Sequence, residues 1–369
     1  QKDIDQVINV LQSDFLTQGS QVPLFEQEIA QYCHAKFACA TTNATSALHL
    51  ACLALDVQEN DRVWTSPISF VASANCALYC RASIDFVDID LSTGNMCTEA
   101  LKNKLEHAAL TNTLPKVVIV VHLAGQSCLM QDINLLAKQY HFKVIEDASH
   151  AIGASYQNNK IGCCQYSDIC IFSFHPVKII TTAEGGMALT NDKKLEQKLK
   201  LLRSHGITNE QTLMTEPSHG PWYYQQIDLG FNYRMTEIQA ALGRSQLSKL
   251  DEFVTKRNLL AQHYDQTFAD NEVSPLTSQL NMSENGIYSA YHLYVVLLND
   301  ANKKKHQFII EQLRAKGIFA HVHYIPIHLQ PFYQDLGFKE GDFPQAEKFY
   351  QQALTLPLHP KITEAEQAF

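Results

Sequence analysis

The apolar positions of this chain fall into two rhythms. One recurs at helical spacing: Ile4, Val7, Ile8 and Leu11 mark a helix over residues 3–11, and a second amphipathic helix is predicted over 25–32. The other is a short unbroken apolar run, seen at 37–41, 62–65, 84–88, 116–121, 143–147, 168–172 and 186–190, each predicted to be a buried strand. Helical stretches at 47–55, beyond Phe70 to Tyr79, at 98–105, at 132–140 with Asp132 as its cap, and at 193–203 separate these runs. Such alternation predicts an α/β fold with a mainly parallel sheet covered by helices on both faces. Ligands of such sheets bind beyond the carboxyl ends of the strands. Thr42, Phe70, Asp147 and Lys178 all lie just past predicted strand ends, so four segments are expected to converge on one rim.

Residues 207–229 read as irregular and aromatic, and helices follow at 236–247 and 250–268. From about residue 275 the pattern changes to a smaller α/β unit, with a strand at 291–298, a helix at 304–316, a strand at 318–322 and a helix at 346–352. Two domains are therefore expected, a large one over 1–248 and a small one over 249–369, joined through the long helix.

Composition narrows the functional classes. With 369 residues and 46% hydrophobic side chains there is ample material for a buried core. A formal net charge of −9 argues against a nucleic-acid binder, which needs a basic face. No basic block suits an anionic membrane, Lys303–Lys305 being the solvated start of a helix, and no apolar run is long enough to span a bilayer. The ten cysteines contain no Cys-x-x-Cys pair, and adjacent Cys163 and Cys164 are poorly placed to chelate zinc. Reduced thiols in a cytoplasm, and no metal, are expected. The first residue is Gln1 rather than Met, so a start further upstream is also expected.

The most unusual position is Lys178. It follows the strand at 168–172 within Ser173-Phe174-His175-Pro176-Val177-Lys178, and a Thr181-Thr182-Ala183-Glu184-Gly185-Gly186 turn comes after it. Val177 and Ile179-Ile180 flank it with apolar surface. Desolvation lowers the pKa of a lysine and supplies the neutral amine that a Schiff base requires, which points to pyridoxal 5'-phosphate (PLP). Asp147, at the end of another strand, would be read as a cap if it stood alone. Paired with Lys178, it is the anion that keeps a pyridine nitrogen protonated. Phe70 is a candidate to lie on the ring, and Ser173 has a hydroxyl available to a phosphate. The hydroxyl-rich junction at residues 42–46 would present helix amides to the same group.

These residues resemble a known family. Asn43-Ala44-Thr45-Ser46, Pro67-Ile68-Ser69-Phe70, Glu146-Asp147-Ala148-Ser149-His150, Phe172-Ser173-Phe174-His175-Pro176-Val177-Lys178, Arg203-Ser204-His205-Gly206, Gly230-Phe231-Asn232-Tyr233-Arg234-Met235 and His323-Tyr324-Ile325-Pro326-Ile327-His328 are similar, in order, to motifs of the PLP-dependent sugar aminotransferases of the DegT/DnrJ/StrS group. Within it, the pattern is nearest to the members of the pseudaminic-acid pathway. The resemblance implies the aspartate-aminotransferase fold (fold type I), with Lys178 as the Schiff-base lysine and Asp147 as the partner of the pyridine nitrogen. Phe70 would stack on the ring, His150 would lie near it, and Ser173 with the Ala44 and Thr45 amides would hold the phosphate. Asn232 would reach the phosphate of the neighbouring subunit in a homodimer with shared sites, with Arg234 ranked behind it.

The reaction implied is transfer of the amino group of L-glutamate to C4 of a UDP-linked 2-acetamido-2,6-dideoxy-4-hexulose, with other UDP- or dTDP-4-keto-6-deoxy sugars as the alternative. A dehydratase of the same fold would carry histidine where Lys178 stands. A non-catalytic regulatory protein would have little use for Lys178, Asp147, Ser173 and Phe70 together. Two departures stand out: Ile179-Ile180 where a proline or polar residue is expected, and the aromatic insert Gly220-Pro221-Trp222-Tyr223-Tyr224, which would serve the substrate pocket or dimer packing.

Overall fold

A computed structural model describes residues 1–268, 273–276, 283, 285–299 and 301–369. The chain begins with α1 (Lys2–Leu11), α2 (Gln21–Cys33), β1 (Phe37–Thr41), α3 (Ala44–Ala54), β2 (Arg62–Thr65), α4 (Ala72–Tyr79) and β3 (Ser83–Phe86). It continues through α5 (Thr98–Thr111), β4 (Val117–Val121), α6 (Met130–Tyr140), β5 (Lys143–Asp147), the hairpin of β6 (Ser155–Tyr156) and β7 (Asn159–Lys160), β8 (Ile169–Ser173) and β9 (Gly186–Thr190). Next come α7 (Lys193–Arg203), the short β10 (Ile207–Thr208) and β11 (Gln225–Gln226), α8 (Glu237–Leu247) and α9 (Leu250–Phe268). Beyond these lie β12 (Val273–Pro275), β13 (Ile287–Tyr288), β14 (Tyr294–Leu298), the helix Lys303–Ala315, the helix Pro344–Gln352 and β15 (Ala353–Leu356).

Seven strands make the main sheet in the order β1-β9-β8-β5-β4-β2-β3. Neighbours from β8 to β3 are parallel, whereas β9 pairs antiparallel with both β8 and β1. Only β9 is reversed, so the sheet is mostly parallel as expected. Alternate residues of each strand feed two cores. Val118 and Val120 face the layer of α2, α5, α6 and α9, and Val117 and Ile119 face the layer of α3, α4 and α7.

Two local expectations are corrected. Asp132 does not cap α6: the helix starts two residues earlier at Met130, and Asp132 lies in its first turn, where its charge meets the positive end of the helix dipole. Residues 318–322 do not form a strand. They make a single bridge, His321 to Thr355, and leave Phe319 78% exposed. The place beside β14 is taken instead by β15, which the sequence reading did not assign, in the three-stranded antiparallel sheet β12-β14-β15. All ten cysteines are free thiols. Among the described residues, no helix is long and apolar enough to cross a membrane.

Candidate active site

The carboxyl ends of β1, β5 and β8 and the amino end of the reversed β9 share one rim. A cavity of about 460 Å³ opens there, and its walls include Ala44, Thr45, Phe70, Asp147, His150, Ser173, Lys178 and Tyr324. Seven of the candidate residues are thus brought together. Asn232 is not among the lining residues of its own chain: it bridges to Ser204 just past α7, and Arg234 also lies outside the cavity wall.

Asp147 is buried, and donors meet both of its carboxylate oxygens. Ser73 Oγ donates to Oδ2 at 2.6 Å, and Ser149 donates to Oδ1 through Oγ at 2.6 Å and through its amide at 3.2 Å. Ser69 Oγ lies 2.7 Å from Ser73 Oγ. Ser73 spends its proton on Asp147, so Ser69 must donate to Ser73. A hydroxyl chain and a tight turn therefore fix the direction in which the carboxylate points.

Lys178 stands on the loop between β8 and β9. That loop is pinned at its mouth, where Ser173 pairs with Gly186 and the Phe174 amide donates to Gly185 O at 2.9 Å. It is pinned again by Thr182, whose amide donates to Phe174 O at 3.0 Å, and by Ile179 and Ile180, which are buried in the core. The unexpected isoleucine pair thus anchors the loop. Burial depresses the Lys178 amine to about 8, against the opposing pull of the Asp147 carboxylate. His150 and His292 are held well below the ordinary histidine value, first by burial and then by the charge on Lys178. His323 is lowered to about 4 by burial, by His321 and by Lys178. The lysine therefore sits among neutral rings.

The amino end of α3 forms another part of the wall. Asn43 caps it, Oδ1 accepting the Ser46 amide at 2.8 Å, while the first amides of a helix have no intrahelical partner. Gly186 lets this turn come close: a Cβ there would lie 2.5 Å from the Asn43 carbonyl and 2.6 Å from the Ala44 nitrogen. Ser173 sits beside Gly186 in the ladder. Helix amides, a serine and a side-chain-free approach make a cradle suited to a phosphate. Phe70 is 61% exposed at the cavity wall, so its ring is available to a flat ligand.

Comparison with known proteins decides what this constellation belongs to. The model of the DegT/DnrJ/EryC1/StrS aminotransferase family matches residues 1–368. The chain belongs to that family. This aminotransferase is similar to the Campylobacter jejuni UDP-4-amino-4,6-dideoxy-N-acetyl-beta-L-altrosamine transaminase, at 38% identity over 369 residues, spanning 100% of this chain and 93% of the relative. Its fold matches Helicobacter pylori PseC, an aminotransferase involved in the biosynthesis of pseudoaminic acid. That match has a TM-score of 0.89 and 34% identity, and it covers 100% of this chain and 94% of that one. It also matches the Streptococcus pneumoniae protein Spr1654 in its PLP form, with a TM-score of 0.88 and 27% identity over 100% of this chain and 93% of that one. The aminotransferase is a fold type I, PLP-dependent enzyme. Its cavity fits the cofactor, with an amine, a buried carboxylate and a phosphate cradle around one space.

Several residues of this aminotransferase's site went unassigned in the sequence. Ser73 lies in α4 and reaches Asp147 across 74 positions of chain. Tyr324 comes from a segment tied to the loop after β2, Ile327 donating its amide to Pro67 O at 2.8 Å, and its hydroxyl lies 3.1 Å from His150 Nε2. His292 packs against His150 with ring centroids 4.4 Å apart and the planes tilted by 40°. The His323-Tyr324 motif carried a signal for the second of these, and nothing local marked the others.

Proposed function

We propose that this aminotransferase moves the amino group of L-glutamate to C4 of UDP-2-acetamido-2,6-dideoxy-β-L-arabino-4-hexulose, giving UDP-4-amino-4,6-dideoxy-N-acetyl-β-L-altrosamine. The observation that carries the aminotransferase chemistry is the single cavity holding Lys178, Asp147 and the α3 amino end. The substrate rests on 38% identity, across the full chain, to a relative named for that product. When bound, PLP supplies an aldehyde for the amine to grip and a ring that draws electrons from the reacting carbon. Lys178 Nζ holds the cofactor at rest. Once displaced, its depressed pKa lets Nζ take a proton from the α-carbon of glutamate and return one to C4 of the sugar. Asp147, its direction fixed by Ser73 and Ser149, would be the partner of the pyridine nitrogen and keep it protonated. Ser173 and the Ala44 and Thr45 amides would hold the phosphate of the cofactor, Phe70 would lie on its ring, and His150 would lie near it.

Asn232, which does not line the cavity of its own chain, serves the phosphate of a second copy, with Arg234 as the substitute. The exposed Trp222, Tyr224 and Leu229 that lead to it support such a homodimer. Residues 1–248 act as the cofactor-binding domain, and 249–369 as the small domain that brings Tyr324 to it. The reaction's setting is cytoplasmic.

The test is incubation of the PLP-loaded enzyme with L-glutamate and a panel of UDP- and dTDP-4-keto-6-deoxy sugars, with product stereochemistry read by NMR. Amination of the UDP-linked β-L-arabino substrate above all others is expected. A product formed only from a dTDP sugar would transfer the assignment to that substrate.

A further inference from the structure

Tyr324 and His150 share one hydrogen bond, and their surroundings determine which of them donates it. The Tyr324 hydroxyl and His150 Nε2 lie 3.1 Å apart at the cavity wall. His150 is 6% exposed, and its Nδ1 is buried without a hydrogen-bond partner among the described residues. Burial, with Lys178, His292 and His323 nearby, keeps the ring neutral, so one nitrogen carries a proton and the other does not. If Tyr324 donated to Nε2, the ring proton would sit on Nδ1 as a buried N–H with no acceptor. If Nε2 donates to Tyr324 instead, Nδ1 is merely an unused acceptor. Orphaned buried N–H groups are the rarer and costlier of the two. His150 therefore donates from Nε2, and the phenolic O–H of Tyr324 is left to point into the cavity.

That O–H has work to do in the first half of the reaction. Among the described lining residues, Lys178 is the only lysine or arginine, and its nitrogen is committed to the cofactor at rest. An amino donor brings a carboxylate on the very carbon that reacts. The hydroxyls of Ser69 and Ser149 are already spent on Ser73 and Asp147. Burial and the Asp147 charge push the Tyr324 phenol upward, which keeps it protonated and a donor. We propose that Tyr324 is the neutral donor that positions the α-carboxylate of the amino donor beside Lys178, with His150 setting the direction of its O–H. This rests on the glutamate-dependent reading above.

The experiment titrates α-methyl-L-glutamate, which lacks the α-proton and cannot turn over, into PLP-loaded wild type and Tyr324→Phe, followed by the visible spectrum. The Kd is expected to rise roughly tenfold in the variant, as loss of one bond to a charged group implies. PLP affinity of the apoenzyme, read by fluorescence, should stay within about twofold, a margin well below the loss of one such bond. In turnover, the KM for L-glutamate should rise more than kcat falls. His150→Phe should weaken the same ligand and add little on top of Tyr324→Phe. Unchanged binding of α-methyl-L-glutamate in Tyr324→Phe overturns the proposal. A parallel loss of PLP affinity overturns it too, making Tyr324 a support for the cofactor. A wild type whose spectrum ignores glutamate instead defeats the choice of amino donor. The comparison is then made with the α-methyl form of the amino acid that does change the spectrum, and equal affinity there sinks the role of Tyr324.

Discussion

Glu146 and Asp147 are consecutive carboxylates at the end of one strand, and they do opposite things. Strand alternation sends their side chains to opposite faces of the sheet. Glu146 accepts from His122 Nε2 at 2.7 Å and from Ser167 Oγ. His122 Nδ1 in turn accepts the Cys128 amide at 3.2 Å, so every polar atom of that cluster is used internally. Asp147 is held as firmly by Ser73 and Ser149, yet it lines a cavity and shares it with a lysine to which it makes no direct bond. Burial and hydrogen bonding alone therefore do not separate a structural carboxylate from a working one. What separates them is whether the partner side chain is already satisfied or still has chemistry to perform.

The sharpest way to test this contrast is to remove the two partners. Lys178→Ala should abolish the visible band of the lysine-bound cofactor and lower turnover by about ten-thousand-fold or more. Its melting temperature should hold or rise slightly, because burial disfavours the charged amine. His122→Ala should do the reverse, keeping turnover while costing about 3 kcal/mol in a denaturant titration, since a buried carboxylate loses its donor. A catalytically dead His122→Ala of normal stability would erase the distinction.

A smaller effect is expected from the carboxylates themselves. Asp147→Asn should cut kcat roughly a hundredfold or more with little change in stability, whereas Glu146→Gln should leave kcat within about threefold and lower the melting temperature. Equal kinetic damage from both would mean that the two faces of β5 are coupled.

The mildest test is pH. The Lys178 amine, lowered from its ordinary value to about 8, is nucleophilic only when neutral. The rate at which apoenzyme takes up PLP should therefore rise roughly tenfold from pH 7 to pH 9 and then level off. A rise that continues beyond pH 10 would mean that the amine is solvated and that burial does not set its behaviour.

The sequence made the rim legible because strand ends can be read from apolar runs, and Asp147, Ser173, Phe70, Ala44 and Lys178 all stand at or just past such ends. Direction was not legible: the run at 186–190 reads the same whichever way it points, so the reversal of β9 emerged only with its ladder. Ala353–Leu356 follows a helix without a break and runs straight into Pro357, so no turn signal sets it off as a strand. Ser73 and His292, and the place of Tyr324 although its motif was visible, were hidden for a different reason. Each sits in a segment whose place is set by packing far along the chain, as the Ile327–Pro67 bond illustrates.

The loop that bears Lys178 is closed by a ladder at its mouth and sunk into the core at its middle, like a tool post bolted to a lathe bed. Backbone travel there would pull Ile179 and Ile180 out of the core. Every cycle of release and recapture at Nζ must then come from rotation about the four carbon–carbon bonds of a single side chain, while its mount stays still.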